Sequence, residues 1–136
     1  MRQRTAGAAG RTGPPAGERG SAVAESTMVL GLLALVFLTL VQGAVAVHAR
    51  NAMIDAASAG ARYGALADRS AADGVARTES LLESGVVSAI GTSVTAENMD
   101  EGGVPVLRIT VTGRMPLLGF WDSPVEWEVH GHAYRY

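Results

Sequence analysis

The 136-residue sequence contains no cysteine and no lysine, and only seven of its side chains are aromatic. The missing cysteines exclude a disulfide framework, thiol catalysis and cysteine-ligated zinc, although they do not exclude export. All eleven basic residues are arginines, and a net charge of −2 without a clustered basic face argues against a nucleic-acid partner. A 48% hydrophobic chain with so few aromatics suggests that its apolar residues are not spread through a globular core.

The apolar residues are concentrated in one block. Residues Ser26–Val47 form a run of 22 without a formal charge, and Gln42 is its only strongly polar side chain. A helix of this length spans about 33 Å, which matches a hydrocarbon core of about 30 Å. The rest of the chain is too small to enclose such a helix. The block therefore predicts a transmembrane helix and a lipid bilayer as a partner.

The flanking charges predict the orientation. Residues 1–20 carry four arginines against one glutamate, a net of +3, whereas residues 48–136 carry seven arginines against eleven acids, a net of −4. Basic residues stay on the cytoplasmic side of a span. We therefore expect a disordered cytoplasmic leader at residues 1–20, a single span at 21–47 and an exported α+β domain at 48–136, all anchored in the cell membrane.

A cleaved secretory signal is the competing interpretation of the same block. Ala44-Val45-Ala46 and Val47-His48-Ala49 both place small residues at the −3 and −1 positions of a cleavage site. The apolar core of a signal peptide usually runs only 7–15 residues, however. The length of the block favours a retained anchor.

Glu25 introduces a negative charge at the start of the apolar block, where a carboxylate needs headgroups, a proton or a partner. The string Glu18 to Glu25 resembles the class III signal of type IV pilins and pseudopilins. That resemblance implies that a prepilin peptidase cuts after Gly20, so that Ser21 becomes the first residue and Glu25 the fifth. The new amine of Ser21 could pair with Glu25 of another chain, while the alternative is a plain carboxylate stabilised by the helix dipole.

Helical character continues beyond the span. A ridge of small residues recurs every four positions, a pattern that allows the backbones of two helices to approach closely: Ala52, Ala56, Gly60 and Gly64. Asp55, Arg62 and Arg69 recur every seven residues, so Asp55 and Arg62 could form an intrahelical or an intersubunit pair.

The remaining sequence predicts a second helix and a small sheet, which gives an α+β fold. Apolar spacing favours a helix over residues 72–90, with Val75, Leu81, Leu82, Val86 and Ile90 as core candidates. Alternation predicts strands at 92–99, 104–112 and 125–134, with a turn at Asp100–Gly103. Two sets of residues should face inward: Leu107, Ile109 and Val111 of the second strand, and Val125, Trp127, Val129 and Ala133 of the third.

The leader, the span, the Asp-Ala-Ala-x-x-Gly-Ala-Arg-x-Gly-Ala helix from Asp55 to Ala65 and the C-terminal hairpin together resemble the TadE-like family. These are minor pseudopilins of tight-adherence, or Flp-type, pilus machinery. The resemblance implies a pilin-like structural component whose partners are the prepilin peptidase, other pilins or pseudopilins and the pilus-assembly platform proteins.

The sequence gives little support for a catalytic function. The sequence has no phosphate-binding loop, GxSxG elbow or HExxH motif, so neither an enzyme nor a cofactor is predicted. His130 and His132 share a strand face with Glu126 and Glu128, but such a face is more commonly solvated than metal-binding. The Phe120-Trp121 pair is either part of the core or a partner anchor. A secreted or membrane-tethered binding domain without a pilus role is the alternative function.

Overall fold

A computed structural model describes residues 16–115 and 125–135, together with Gly7, Gly10 and Gly13. Two helices precede three strands: α1 (Ala16–Gly64), α2 (Ala71–Glu83), β1 (Gly91–Glu101), β2 (Val104–Met115) and β3 (Val125–Tyr134), with a 3₁₀ turn at Val86–Ala89. The predicted α+β class is confirmed. The chain divides into two units, Met1–Gln42 and Gly43–Tyr136, and the boundary falls inside α1. The predicted Phe120-Trp121 loop lies outside the described residues.

The core of the second unit lies between the helices and one face of the sheet. Met53 and Ala57 of α1, Leu107 and Ile109 of β2, and Val129 of β3 are all buried. The close approach of β3 to α1 depends on a glycine, because a Cβ on Gly131 would overlap the backbone of Ala57. Leu107, Ile109 and Val111 face inward as predicted.

The sheet is antiparallel throughout, in the order β1-β2-β3. Glu101 pairs with Val104, which leaves a two-residue turn at Gly102 and Gly103. These glycines have φ values of +67° and +90°, the left-handed backbone that a tight hairpin turn needs and that glycine adopts without strain. The side chain of Asp100 closes the turn by accepting a 2.7 Å hydrogen bond from the Gly103 amide. The predicted turn is therefore confirmed.

A capping box starts α2. The Ser70 hydroxyl accepts a 3.2 Å hydrogen bond from the Asp73 amide, and the Asp73 carboxylate accepts from the Ser70 amide at 2.7 Å and from the Ser70 hydroxyl at 2.8 Å. These bonds satisfy amides that the first helical turn leaves without partners. The hydrogen bonds from Ser70 also favour the ionised carboxylate and lower the pKa of Asp73.

Several predicted boundaries and orientations were wrong. The second helix ends at Glu83 instead of reaching residue 90, because Gly85 has an extended backbone and the chain continues as a 3₁₀ turn. β1 and β2 are longer than predicted and end at Glu101 and Met115. Val125 is exposed, because it pairs with Met115 at the extreme end of the sheet. The inward-facing residue that the prediction omitted is Gly131, which is buried.

Candidate functional site

The first part of α1 exposes apolar side chains on every side. All residues from 21 to 40 are exposed, and the exposed fractions of Leu33 and Phe37 are 58% and 69%. An amphipathic helix of a soluble domain would bury one stripe of its apolar side chains. Among the described residues, the segment Arg19–Gly64 contains a stretch long and apolar enough to span a membrane, and none of that stretch is buried. This exposed apolar surface, residues 21–40, is the main candidate functional site.

Three hydroxyl groups on this surface form hydrogen bonds within the helix itself. Ser26, Thr27 and Thr39 each donate to the carbonyl oxygen four residues earlier, over distances of 2.9, 2.8 and 2.8 Å. In a hydrocarbon environment an unpartnered hydroxyl carries a large desolvation cost, which these bonds remove. The helix therefore presents little unsatisfied polarity along this stretch.

Glu25 is the charged residue within this surface. It is exposed, and the ion pairs found in residues 16–115 and 125–135, Asp68–Arg69 and His130–Glu128, do not include it. Gly20 and Ser21 lie about one turn before Glu25 in α1, and both are exposed. A Cβ placed on Gly20 would meet no atom within 4 Å, so this glycine has no packing role in the described structure.

The small-residue ridge of α1 contacts α2 within the same unit. A Cβ on Gly60 would overlap Thr78 and lie 2.7 Å from the Gly74 oxygen, and a Cβ on Gly64 would lie 3.0 Å from the Gly74 Cα. Ala56 is buried, and its backbone oxygen accepts a 3.4 Å hydrogen bond from the Thr78 hydroxyl. Ala52, at the start of the ridge, is partly buried against the core. The glycine end of the ridge is therefore occupied by this chain's own helix.

The outer face of the sheet carries a hydrogen-bonded polar network. Arg108 Nε donates to His132 Nε2 at 3.1 Å, and Thr110 Oγ1 lies 3.0 Å from His130 Nδ1. The remaining nitrogen of His130 lies 3.3 Å from a Glu128 carboxylate oxygen. Among the residues that the structure describes, we find no group of three or more histidine, aspartate or glutamate side chains that could hold a metal ion.

Arg135 is a structurally important residue that sequence reasoning missed. Its Nη2 donates to the backbone oxygens of Gly64 and Arg69, at 3.3 Å in each case. A cation at a helix C-terminus is a recognised pattern, but the usual signal is a basic residue in the last turn itself. Here the fold supplies the cation from the other end of the chain, so no local sequence signal could have revealed it.

Comparison with known protein families finds a match over part of the chain. A family model described as TadE-like protein matches residues 20–62, a stretch that begins at Gly20 and includes the exposed apolar surface and most of the ridge. No curated protein and no solved structure is significantly similar to the chain. The predicted resemblance to the TadE-like family is therefore confirmed over residues 20–62, which we call the TadE-like segment.

Proposed function

We propose that this protein is a single-pass, pilin-like structural component that acts in the assembly of a tight-adherence type pilus or a related secretion filament. The observation that carries the proposal is the helix surface at residues 21–40, apolar and exposed on all sides, inside the TadE-like segment. Such a surface needs lipid or other apolar helices around it, because exposing it to water is costly. The role is structural rather than catalytic, as the family association suggests.

The proposed topology follows from charge. The arginine-rich residues 1–20 stay in the cytoplasm, the span crosses the cell membrane, and residues 48–136 are exported. In this arrangement Glu25 lies at the cytoplasmic edge of the bilayer. There it remains close to the headgroups until a partner helix reaches it.

Processing after Gly20 gives Glu25 its role. Cleavage by a prepilin peptidase on the cytoplasmic side would create a positively charged amine at Ser21, four residues before Glu25. When two subunits pack side by side, the Glu25 carboxylate of one can pair with the Ser21 amine of the other. In a low-dielectric setting an unpaired charge is strongly unfavourable, so this pair sets the register of the two helices.

N-terminal sequencing and intact-mass measurement test the proposal on full-length protein from membranes of cells that also make the prepilin peptidase. We expect Ser21 as the first residue and resistance of the protein to extraction from membranes by alkaline carbonate. A first residue near Arg50 would instead support the secreted binding domain, and an intact leader would leave a plain membrane anchor. Either result would overturn processing after Gly20.

A pair of glycine variants separates recognition by the peptidase from folding. Gly20 and Gly17 both lie in α1, and a Cβ at either position meets no atom within 4 Å. Gly20→Val should block cleavage, whereas Gly17→Val should be cleaved normally. Equal processing of the two variants would show that Gly20 is not the recognised residue.

Charge variants at Glu25 test the pairing. Glu25→Gln removes the charge at nearly constant size, and Glu25→Asp keeps it. We expect both to be cleaved and inserted but only Glu25→Asp to support pilus assembly, measured as pilin sheared from the cell surface. Normal assembly with Glu25→Gln would rule out the charge pair even if processing is confirmed.

A further inference from the structure

Three polar residues form a straight stripe on the part of α1 that belongs to the second unit. His48, Asp55 and Arg62 are all exposed and are separated by seven residues each. Seven residues make about two helical turns and a rise of about 10.5 Å, so these side chains fall close to one line along the helix. Along this heptad stripe an imidazole is followed by a negative charge at Asp55 and a positive charge at Arg62.

Asp55 and Arg62, the charged residues of the heptad stripe, form no ion pair or side-chain hydrogen bond within the described residues. The ion pairs among residues 16–115 and 125–135 are Asp68–Arg69 and His130–Glu128, and the side-chain hydrogen bonds there involve neither Asp55 nor Arg62. Asp55 and Arg62 cannot pair with each other in a regular helix, because the rise of about 10.5 Å between them far exceeds ion-pair distance. Both charges are therefore available to a neighbour.

We infer that the heptad stripe binds a second copy of this chain, with the two helices parallel and displaced by seven residues. This displacement places His48 of one copy opposite Asp55 of the other, and Asp55 of the first opposite Arg62 of the second. The inference rests on the proposed function, because two copies inserted in the same membrane in the same direction must have parallel helices.

Charge complementarity favours the arrangement displaced by seven residues over one in which the two helices are not displaced. Without a displacement, Asp55 would face Asp55 and Arg62 would face Arg62, and like charges repel. With a displacement of one heptad, Asp55 of one copy instead meets Arg62 of the other, and these opposite charges attract. Exposed ion pairs contribute little to affinity, so the stripe favours one alignment of the exported part of α1 and adds little to the strength of the contact.

Disulfide trapping tests the register, because the chain has no cysteine of its own. Ala44 and Asn51 are exposed, uncharged and separated by one heptad beside the stripe. Two differently tagged full-length copies, one with Ala44→Cys and one with Asn51→Cys, are expressed together in cells that assemble the pilus and are then oxidised. The matched controls place the same substitution in both copies.

A displaced contact should give roughly a fivefold excess of the 44–51 cross-link over the 44–44 and 51–51 cross-links, a difference consistent with one exposed ion pair replacing two repulsive contacts. Adding Asp55→Arg to both copies should abolish this excess. Adding Arg62→Asp as well should restore part of it, because opposite charges again meet between positions 55 and 62.

Equal or stronger same-position cross-links would overturn the inference, and so would the absence of cross-links between the two tagged copies. N-terminal sequencing of the same membranes separates the two proposals. If the chain starts at Ser21 but the 44–51 cross-link is absent, the second-copy contact fails while processing stands. If the chain is neither processed nor retained in membranes, the proposed function itself fails.

Discussion

The guanidinium of Arg135 donates a hydrogen bond to the backbone oxygen of Gly64, a residue 71 positions earlier in the chain. Gly64 is the last residue of α1, where unpaired carbonyl groups make the helix end partially negative. The backbone amide of Arg135 also donates to the Pro105 oxygen at 2.9 Å. One C-terminal residue thus joins the end of α1 to the start of β2.

Replacing Arg135 should destabilise the second unit. Arg135→Ala removes two hydrogen bonds from a charged donor and a cation at a helix C-terminus, and we expect it to lower the free energy of unfolding by about 1–2 kcal/mol. Thermal unfolding of the full chain in detergent, followed by circular dichroism, measures the loss. Arg77→Ala is the control, because Arg77 is exposed on α2 and makes none of these bonds. Equal stability of the two variants would contradict the role of Arg135.

Gly131 should tolerate no side chain. A Cβ at this position would overlap the backbone of Ala57, where β3 crosses α1. Gly131→Ala must push the strand and the helix apart, and overpacking of this kind costs about 1–3 kcal/mol or more. The control is Gly91→Ala in β1, where a Cβ meets no atom within 4 Å and little change is expected. The same unfolding measurement compares the two, and a Gly131→Ala protein as stable as Gly91→Ala would show that the contact is looser than described.

Acid should weaken the start of α2. Because folding lowers the pKa of Asp73, this carboxylate stabilises the folded state fully above the unfolded value of about 4. The stabilisation is lost as the pH falls through the lower, folded value. Asp73→Asn should therefore reduce the acid dependence of the unfolding temperature between about pH 5 and pH 2. Glu79→Gln, an exposed change on the same helix outside the capping box, should leave that dependence in place.

Local signals made much of the fold predictable from the sequence. The uncharged run from Ser26 to Val47 predicted most of the exposed apolar surface, and Gly102-Gly103 between two alternating segments predicted the hairpin. Each of these features is determined by residues within a short stretch of chain. The alternation of apolar and polar residues likewise predicted the three strands and the inward face of β2.

Contacts between distant segments explain what the sequence could not predict. Gly131 interrupts the apolar alternation of β3. The reason is seen only in the folded structure, where the backbone of Ala57 leaves no room for a Cβ at this position. The glycine end of the ridge, at Gly60 and Gly64, was recognised as a close-approach surface, but nothing in the local pattern showed that Gly74 of the same chain fills it. The contact of Arg135 with Gly64 likewise depends on the complete fold.

The hydroxyl bonds of the apolar helix have a consequence for moving it between environments. Because Ser26, Thr27 and Thr39 bond to oxygens of their own helix, a transfer of this helix from lipid to a protein neighbour, as the proposed function requires, would break none of these three bonds. Moving this stretch from one apolar environment to another would therefore leave these three hydroxyl groups hydrogen-bonded. The free energy of Glu25, by contrast, depends on the charges near it, so under the proposed function this one side chain would select the neighbouring helix.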